Sequence, residues 1–286
     1  MKETGKRLIT LFLKNSIKIL SLLLAVSIIA FALISASPVD PVSQYIMSLG
    51  TAVSAEQRAE LEAYWGVNEP PVERYITWLT SLLKGDMGHS AIYRRPVADV
   101  IAERFANSLA LMFCAWLFAG IIGFALGCIM GMFREKWPDK ILKKICYLLS
   151  SVPTFWLGLL FLLIFAVQLG WFPVGFSSPI GVLLEDITLA QRLHHLFLPA
   201  FTLSLMSFAN IALHTRQKLI DVLSSEYCLF ARARGEGKWT ILRRHGLRNI
   251  LLPALTLQFT SFAELFGGSV MAENVFSYPG LGSAVS

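Results

Sequence analysis

Five long apolar runs alternate with polar stretches along the chain, at residues 19–36, 108–132, 145–169, 196–213 and 250–271. Each has the length, about 17–25 residues, that carries an α-helix across a hydrocarbon layer. The pattern predicts an all-α integral membrane protein with five spans. Between the runs lie residues 37–106, 134–144, 170–195 and 214–249. In the longest polar stretch, 56–64 and 72–83 read as helices, Pro70-Pro71 as a break, and Gly85-Asp86-Met87-Gly88-His89-Ser90 as a turn. In the last stretch Leu229 and Phe230, then Trp239, Ile241 and Leu242, then Leu247 and Ile250 recur at helical spacing. Gly235 and Gly237 interrupt them, since glycine reaches the positive φ of a tight inter-helix turn. The expectation there is helix, turn, helix.

Composition agrees with a membrane protein: 55% of the 286 residues are hydrophobic and 15% charged. A soluble domain carries about a quarter charged residues. The formal charge of +6 is not read as nucleic-acid binding, because the cations fall in particular loops. Residues 1–18, 134–144 and 214–249 hold 5, 5 and 8 Lys or Arg, whereas 37–106 holds 6 and 170–195 holds 1. The positive-inside rule then puts the amino terminus and the 134–144 and 214–249 loops in the cytoplasm. It puts 37–106 outside as one external helical domain, and the carboxyl end outside as well. The basic head and apolar run at the amino terminus also fit a signal peptide cleaved near Ser35-Ala36-Ser37; a first transmembrane helix fits the later spans better. The domains expected are a cytoplasmic 1–18, a first span at 19–36, an external domain at 37–106 and a membrane core at 107–286.

Few residues offer chemistry. No GxxxxGK[ST], HExxH or GxSxG sequence occurs, so neither ATP binding nor an enzyme site is expected. Four cysteines without a CxxC pair read as small buried hydrophobes, and no cofactor or metal is expected. His194-His195 could touch a metal but reads more simply as a hydrated loop end. Gly123, Gly127 and Gly131 offer one small face for close helix packing. Pro153 should kink the third span. In the fifth span Thr256, Thr260 and Glu264 stack on one helix face. A carboxylate at that depth needs a cavity or a partner, either as the wall of a translocation path or as an interhelical tie.

Two readings of the basic stretch remain from the residues alone, a strip held on anionic lipid or a protein-docking loop. Ala231-Arg232-Ala233-Arg234-Gly235, followed by Leu247-Arg248-Asn249-Ile250-Leu251-Leu252-Pro253, resembles the coupling loop of binding-protein-dependent ABC importer permeases, in the dipeptide, oligopeptide and nickel branch. Ser151-Val152-Pro153-Thr154-Phe155-Trp156-Leu157-Gly158, the Gly85–Ser90 turn with Arg95-Pro96-Val97, and Glu273-Asn274-Val275-Phe276-Ser277-Tyr278-Pro279-Gly280-Leu281-Gly282 are similar to the same branch. Where that family has an apolar residue after the glycine, this chain has Glu236. The resemblance implies a type I permease fold. It implies that Ala231, Arg232, Ala233, Arg234, Gly235, Arg248, Asn249 and Pro253 serve an ATPase-coupling loop. Implied partners are ATP-binding subunits, a second permease subunit and an external or periplasmic binding protein, in a bacterial inner membrane. The cargo would be peptides or nickel chelates, with Glu264 before Phe266-Gly267-Gly268 leaning toward nickel. Family members continue into one more span, so a chain ending at Ser286 suggests a truncated product or fragment. The rival is a channel or secondary transporter, which would show ionisable residues in several spans and internal repeats; a membrane enzyme is more distant.

Overall fold

The computed structural model describes residues 2–37, 41–49, 53–64, 66–67, 69–90, 92–179, 181–182 and 186–285. Asp40 and Glu185, acids of the two polar stretches 37–106 and 170–195, lie outside the described residues. The chain divides into two compact units, Met1–Val100 and Ile101–Ser286.

In the first unit, α1 (Lys2–Ser35) joins the basic head and the first apolar run into one continuous helix. Three shorter helices follow, α2 (Pro41–Leu49), α3 (Ala55–Tyr64) and α4 (Pro71–Leu83). The last two match the expected helices, while α2 has no counterpart in the reading of the polar stretch. Pro71 opens α4 at its first position, where the missing N–H costs nothing. Tyr75 of α4 hydrogen-bonds Ser27 of α1 at 2.8 Å and sets its ring edge-on to Phe31 at 5.3 Å. Arg74 lies 5.7 Å from the centre of the same phenylalanine ring.

The second unit is a helical bundle fed by α5 (Val97–Met132). Next come α6 (Trp137–Ser151), α7 (Thr154–Phe161) with a π-helical extension Leu162–Gln168, and α8 (Leu189–Leu223). Then follow α9 (Glu226–Ala233), α10 (Lys238–Ile241), a π-helical turn Leu242–Gly246, α11 (Leu247–Val275) and α12 (Gly282–Val285). Three helical stretches, Thr10–Ser35, Val97–Met132 and Lys238–Val275, are long and apolar enough to cross a membrane. The number rises to five when each of two bent pairs is taken as one span. Among the described residues no strand forms.

The third expected span differs most from its reading. α6 and the α7 stretch meet at 107°, so Pro153 ends one helix and starts another instead of kinking a single one. Val152 is extended (φ −95°, ψ 133°), the conformation a residue before proline is driven into. α6 packs Leu142, Cys146 and Leu149 on its neighbours and leaves Lys140 and Lys144 exposed. The fourth span also runs beyond its apolar limits. α8 begins with a capping box, in which Thr188 accepts from the Gln191 backbone N–H and Gln191 accepts from that of Thr188. It bends by 50° between Leu205 and Ser207 and continues into the basic region.

α8 is the centre of the bundle and packs against α6, α7 and α11. The Gly123, Gly127 and Gly131 ridge of α5 meets it as the four-residue spacing requires. A Cβ on Gly127 would sit 2.5 Å from Thr215 Cβ and 2.7 Å from the Ala212 carbonyl oxygen. Gly127→Val should therefore destabilise the bundle by about 1–3 kcal/mol, as overpacking does. Gly267→Val, where a Cβ meets nothing within 4 Å, should leave stability near the parent value. Thermal unfolding of the purified chain in detergent checks the pair; equal melting temperatures would refute the close seam.

Candidate coupling loop and translocation face

The basic region folds as a helical elbow. α9 ends in a Schellman motif: Glu236 N–H donates to the Ala231 carbonyl at 3.1 Å and Gly235 N–H to that of Arg232 at 2.9 Å. Gly235 holds the left-handed conformation the motif requires, at φ +86°, whereas Gly237 has φ −70°. The turn thus rests on Gly235 alone of the two glycines. Ala231, Cys228 and Ile241 close a small core across the elbow, with Val222 and Leu223 packed on it. Arg232, Ala233, Arg234, Gly235, Arg248 and Asn249 are exposed, as are Leu229, Phe230 and Trp239. Asn249 ties the two sides together, donating to the His245 carbonyl at 2.7 Å and to the Tyr227 hydroxyl at 3.3 Å. Pro253 lies inside α11, half-buried.

Glu236 takes the position where such a motif ordinarily packs an apolar side chain back on the helix. Its side chain is 15% exposed, with carboxylate oxygens 3.6 Å from Arg234 and 3.8 Å from His245. The carboxylate folds back to basic neighbours on its own elbow and the turn geometry is kept.

α11 has two contrasting faces. Ile250, Ala254, Gln258, Ser261, Leu265, Ser269 and Ala272 recur at helical period and are buried. Thr256, Thr260 and Glu264 are together on the exposed face. The two threonine hydroxyls donate to carbonyls one turn back, Leu252 at 3.0 Å and Thr256 at 2.9 Å. Glu264 has no such bond among the described residues. An exposed carboxylate midway along an apolar helix is costly against lipid, by about 2.5–3.5 kcal/mol.

Three buried polar ties were not singled out from sequence. Asp139, fully buried near the start of α6, takes a two-pronged bond from Arg216 of α8 at 2.5 and 2.7 Å. Glu135 N–H adds a third at 2.8 Å. The Arg216 guanidinium holds the Asp139 carboxyl below the usual carboxylate range, against burial that alone would raise it. Glu273, also fully buried, accepts from the Ser108 hydroxyl at 2.7 Å and the Ser283 N–H at 3.0 Å. Beside it Asn107 donates to the Pro279 carbonyl at 2.9 Å. Trp116 of α5 donates its indole N–H to the Gln258 carbonyl at 2.8 Å, and the Gln258 amide returns a bond to the Trp116 carbonyl. The paired histidines bind backbone, His194 to the Trp171 carbonyl at 2.8 Å and His195 to that of Gly175 at 3.0 Å. They pin the loop after α7 to the start of α8.

A bundle of long apolar helices that turns a basic elbow at one end is the build of a helical integral membrane protein. Residues 123–286 match the family described as the inner membrane component of binding-protein-dependent transport systems. The chain belongs to that family, and it is a multi-pass membrane protein. It is 31% identical over 271 residues to the oligopeptide transport system permease protein AppB of Bacillus subtilis (strain 168), covering 94% of this chain and 84% of the relative. It is 33% identical over 270 residues to the glutathione transport system permease protein GsiC of Escherichia coli (strain K12), covering 94% and 83%.

Two outcomes are expected. Gly235→Val must force a β-branched residue to positive φ, at a cost of about 1–3 kcal/mol. Uptake in a strain lacking the native permease should fall steeply at normal membrane abundance, while Gly237→Val stays close to parent; the reverse ranking would remove Gly235 from the turn. Arg216→Gln strands a buried carboxylate and should lower stability at pH 7 by about 3 kcal/mol. Because the folded pKa of Asp139 is lowered, its contribution is present above the unfolded value of about 3.9 and is lost as pH falls through the folded one. The gap between parent and variant should therefore close below about pH 4 in thermal melts.

Proposed function

We propose that this chain is the membrane-spanning subunit of an ATP-driven importer of small peptides. It pairs with a second permease subunit, meets ATP-binding subunits at the α9–α10 elbow and receives cargo from a binding protein on the other side. The observation that carries the reading is the elbow itself. A glycine-fixed turn holds two helices at a set angle and leaves Leu229, Phe230 and Trp239 uncovered on a basic surface. Uncovered large apolar side chains beside a folded turn fit a protein partner. Family membership supports the same assignment. The basic segments 1–18, 134–144 and 214–249 then face the cytoplasm, where their charge is favoured.

Thr256, Thr260 and Glu264 line the path in this reading, because an exposed carboxylate on an apolar helix needs water, cargo or a partner helix. The names of the oligopeptide and glutathione permeases favour peptide over nickel as cargo. A channel or secondary transporter would need neither an ATPase nor such an elbow.

Purified alone, the chain should hydrolyse no ATP, and hydrolysis should appear with the ATP-binding subunits; turnover by the isolated chain, free of contaminating ATPase, would sink this division of labour. In a cysteine-free background, a cysteine at Glu60 should react with an impermeant thiol reagent in intact cells and one at Lys238 should not. The opposite labelling would invert the topology.

A further inference from the structure

We propose that the cavity beneath the α9–α10 elbow binds an anionic phospholipid, its phosphate among four cations and the start of an acyl chain on an apolar floor. This rests on the topology proposed above and goes beyond the ATPase contact. The cavity measures about 730 Å³ and is a half-open cleft between the end of α5, the end of α8 and the elbow, with the four cations on its exposed rim. Arg134 and Lys136 reach it from just past α5, Arg232 and Lys238 from the elbow roughly a hundred residues later. Among the described residues none of the four has an ion-pair partner. Glu236, the acid in the lining, directs its carboxylate to Arg234 and His245. Four like charges around one space repel each other, and an anion between them removes that repulsion.

The floor selects an amphiphile over a free ion. Met132, Leu223 and Ile241 line it, and Met132 is the last residue of a long apolar helix. The cavity therefore sits where α5 changes from apolar to charged, the depth of lipid headgroups. Basic pockets between helices at a cytoplasmic surface suit phosphate headgroups on these grounds.

The test is lipid binding to the purified full chain in neutral detergent, read by native mass spectrometry without ATPase or binding protein. Phosphatidylglycerol should be retained in preference to phosphatidylcholine, and inorganic phosphate should displace it only weakly. Arg134→Ser with Lys136→Ser should weaken phosphatidylglycerol binding about tenfold or more, from about a kilocalorie lost per cation. The charge-keeping exchange, Arg134→Lys with Lys136→Arg, should retain it, and Lys143→Ser with Lys144→Ser should leave it unchanged. Equal retention of both lipids by the parent chain overturns the proposal whatever the variants do. Displacement of the lipid by low phosphate concentrations makes this a free-anion site and overturns it too, as does equal loss in the Lys143/Lys144 control. Complete exclusion of the lipid by added ATP-binding subunits assigns the cavity to their contact instead. A negative result here leaves the importer reading standing, because neither ATP hydrolysis nor uptake enters the measurement.

Discussion

Helices dissolved in hydrocarbon gain little from hiding apolar faces from one another, so contact distance has to hold them. α8 meets that constraint at its seam with α5, where Gly127 lets Thr215 and the Ala212 carbonyl come as close as a missing Cβ permits. Leu203, Leu205, Ala209 and Ala212 of α8 are almost wholly buried in the same packing. α6, α7 and α11 take their places against this one helix. Only Ser224 and Ser225 separate the end of α8 from the elbow, whose small core packs on Val222 and Leu223 of the same helix.

Polar groups supply what dispersion cannot, a defined register. Asp139 and Arg216 fix α6 against α8 where the apolar run gives way to charge. Glu273 and Ser108 fix the turn after α11 against the start of the α5 span. Both ties are buried: Asp139 accepts three bonds, two of them from a guanidinium, and each oxygen of Glu273 accepts one. That satisfaction makes them tolerable in a low-dielectric setting.

Most of the architecture could be read from residues because its determinants are local. Run length announced the spans, and Gly235 announced the elbow through its own backbone freedom. The third span misled for a physical reason. An amphipathic helix such as α6, joined to a membrane helix by Pro153, gives one apolar run on paper. The run says nothing of the 107° between its halves. Glu264 stood out because it is a lone acid in an apolar segment. Glu273 did not, since its hydroxyl partner Ser108 lies 165 positions away, and Asp139 meets Arg216 across 77. Pairings of that kind arise from the folded topology, and no local spacing rule reports them.

The two ties that link α5 and α11 have a mechanical meaning. One tie joins Ser108 to Glu273; the other, two turns along α5, joins Trp116 to Gln258. A single pin between two rods lets them scissor and swivel, whereas two pins at different heights allow neither. α5 and α11 are therefore one plank. The elbow joins α11 through the π-helical turn Leu242–Gly246, and Pro253 lies before the first tie, so the stiffened length of α11 is the stretch from Gln258 to Glu273.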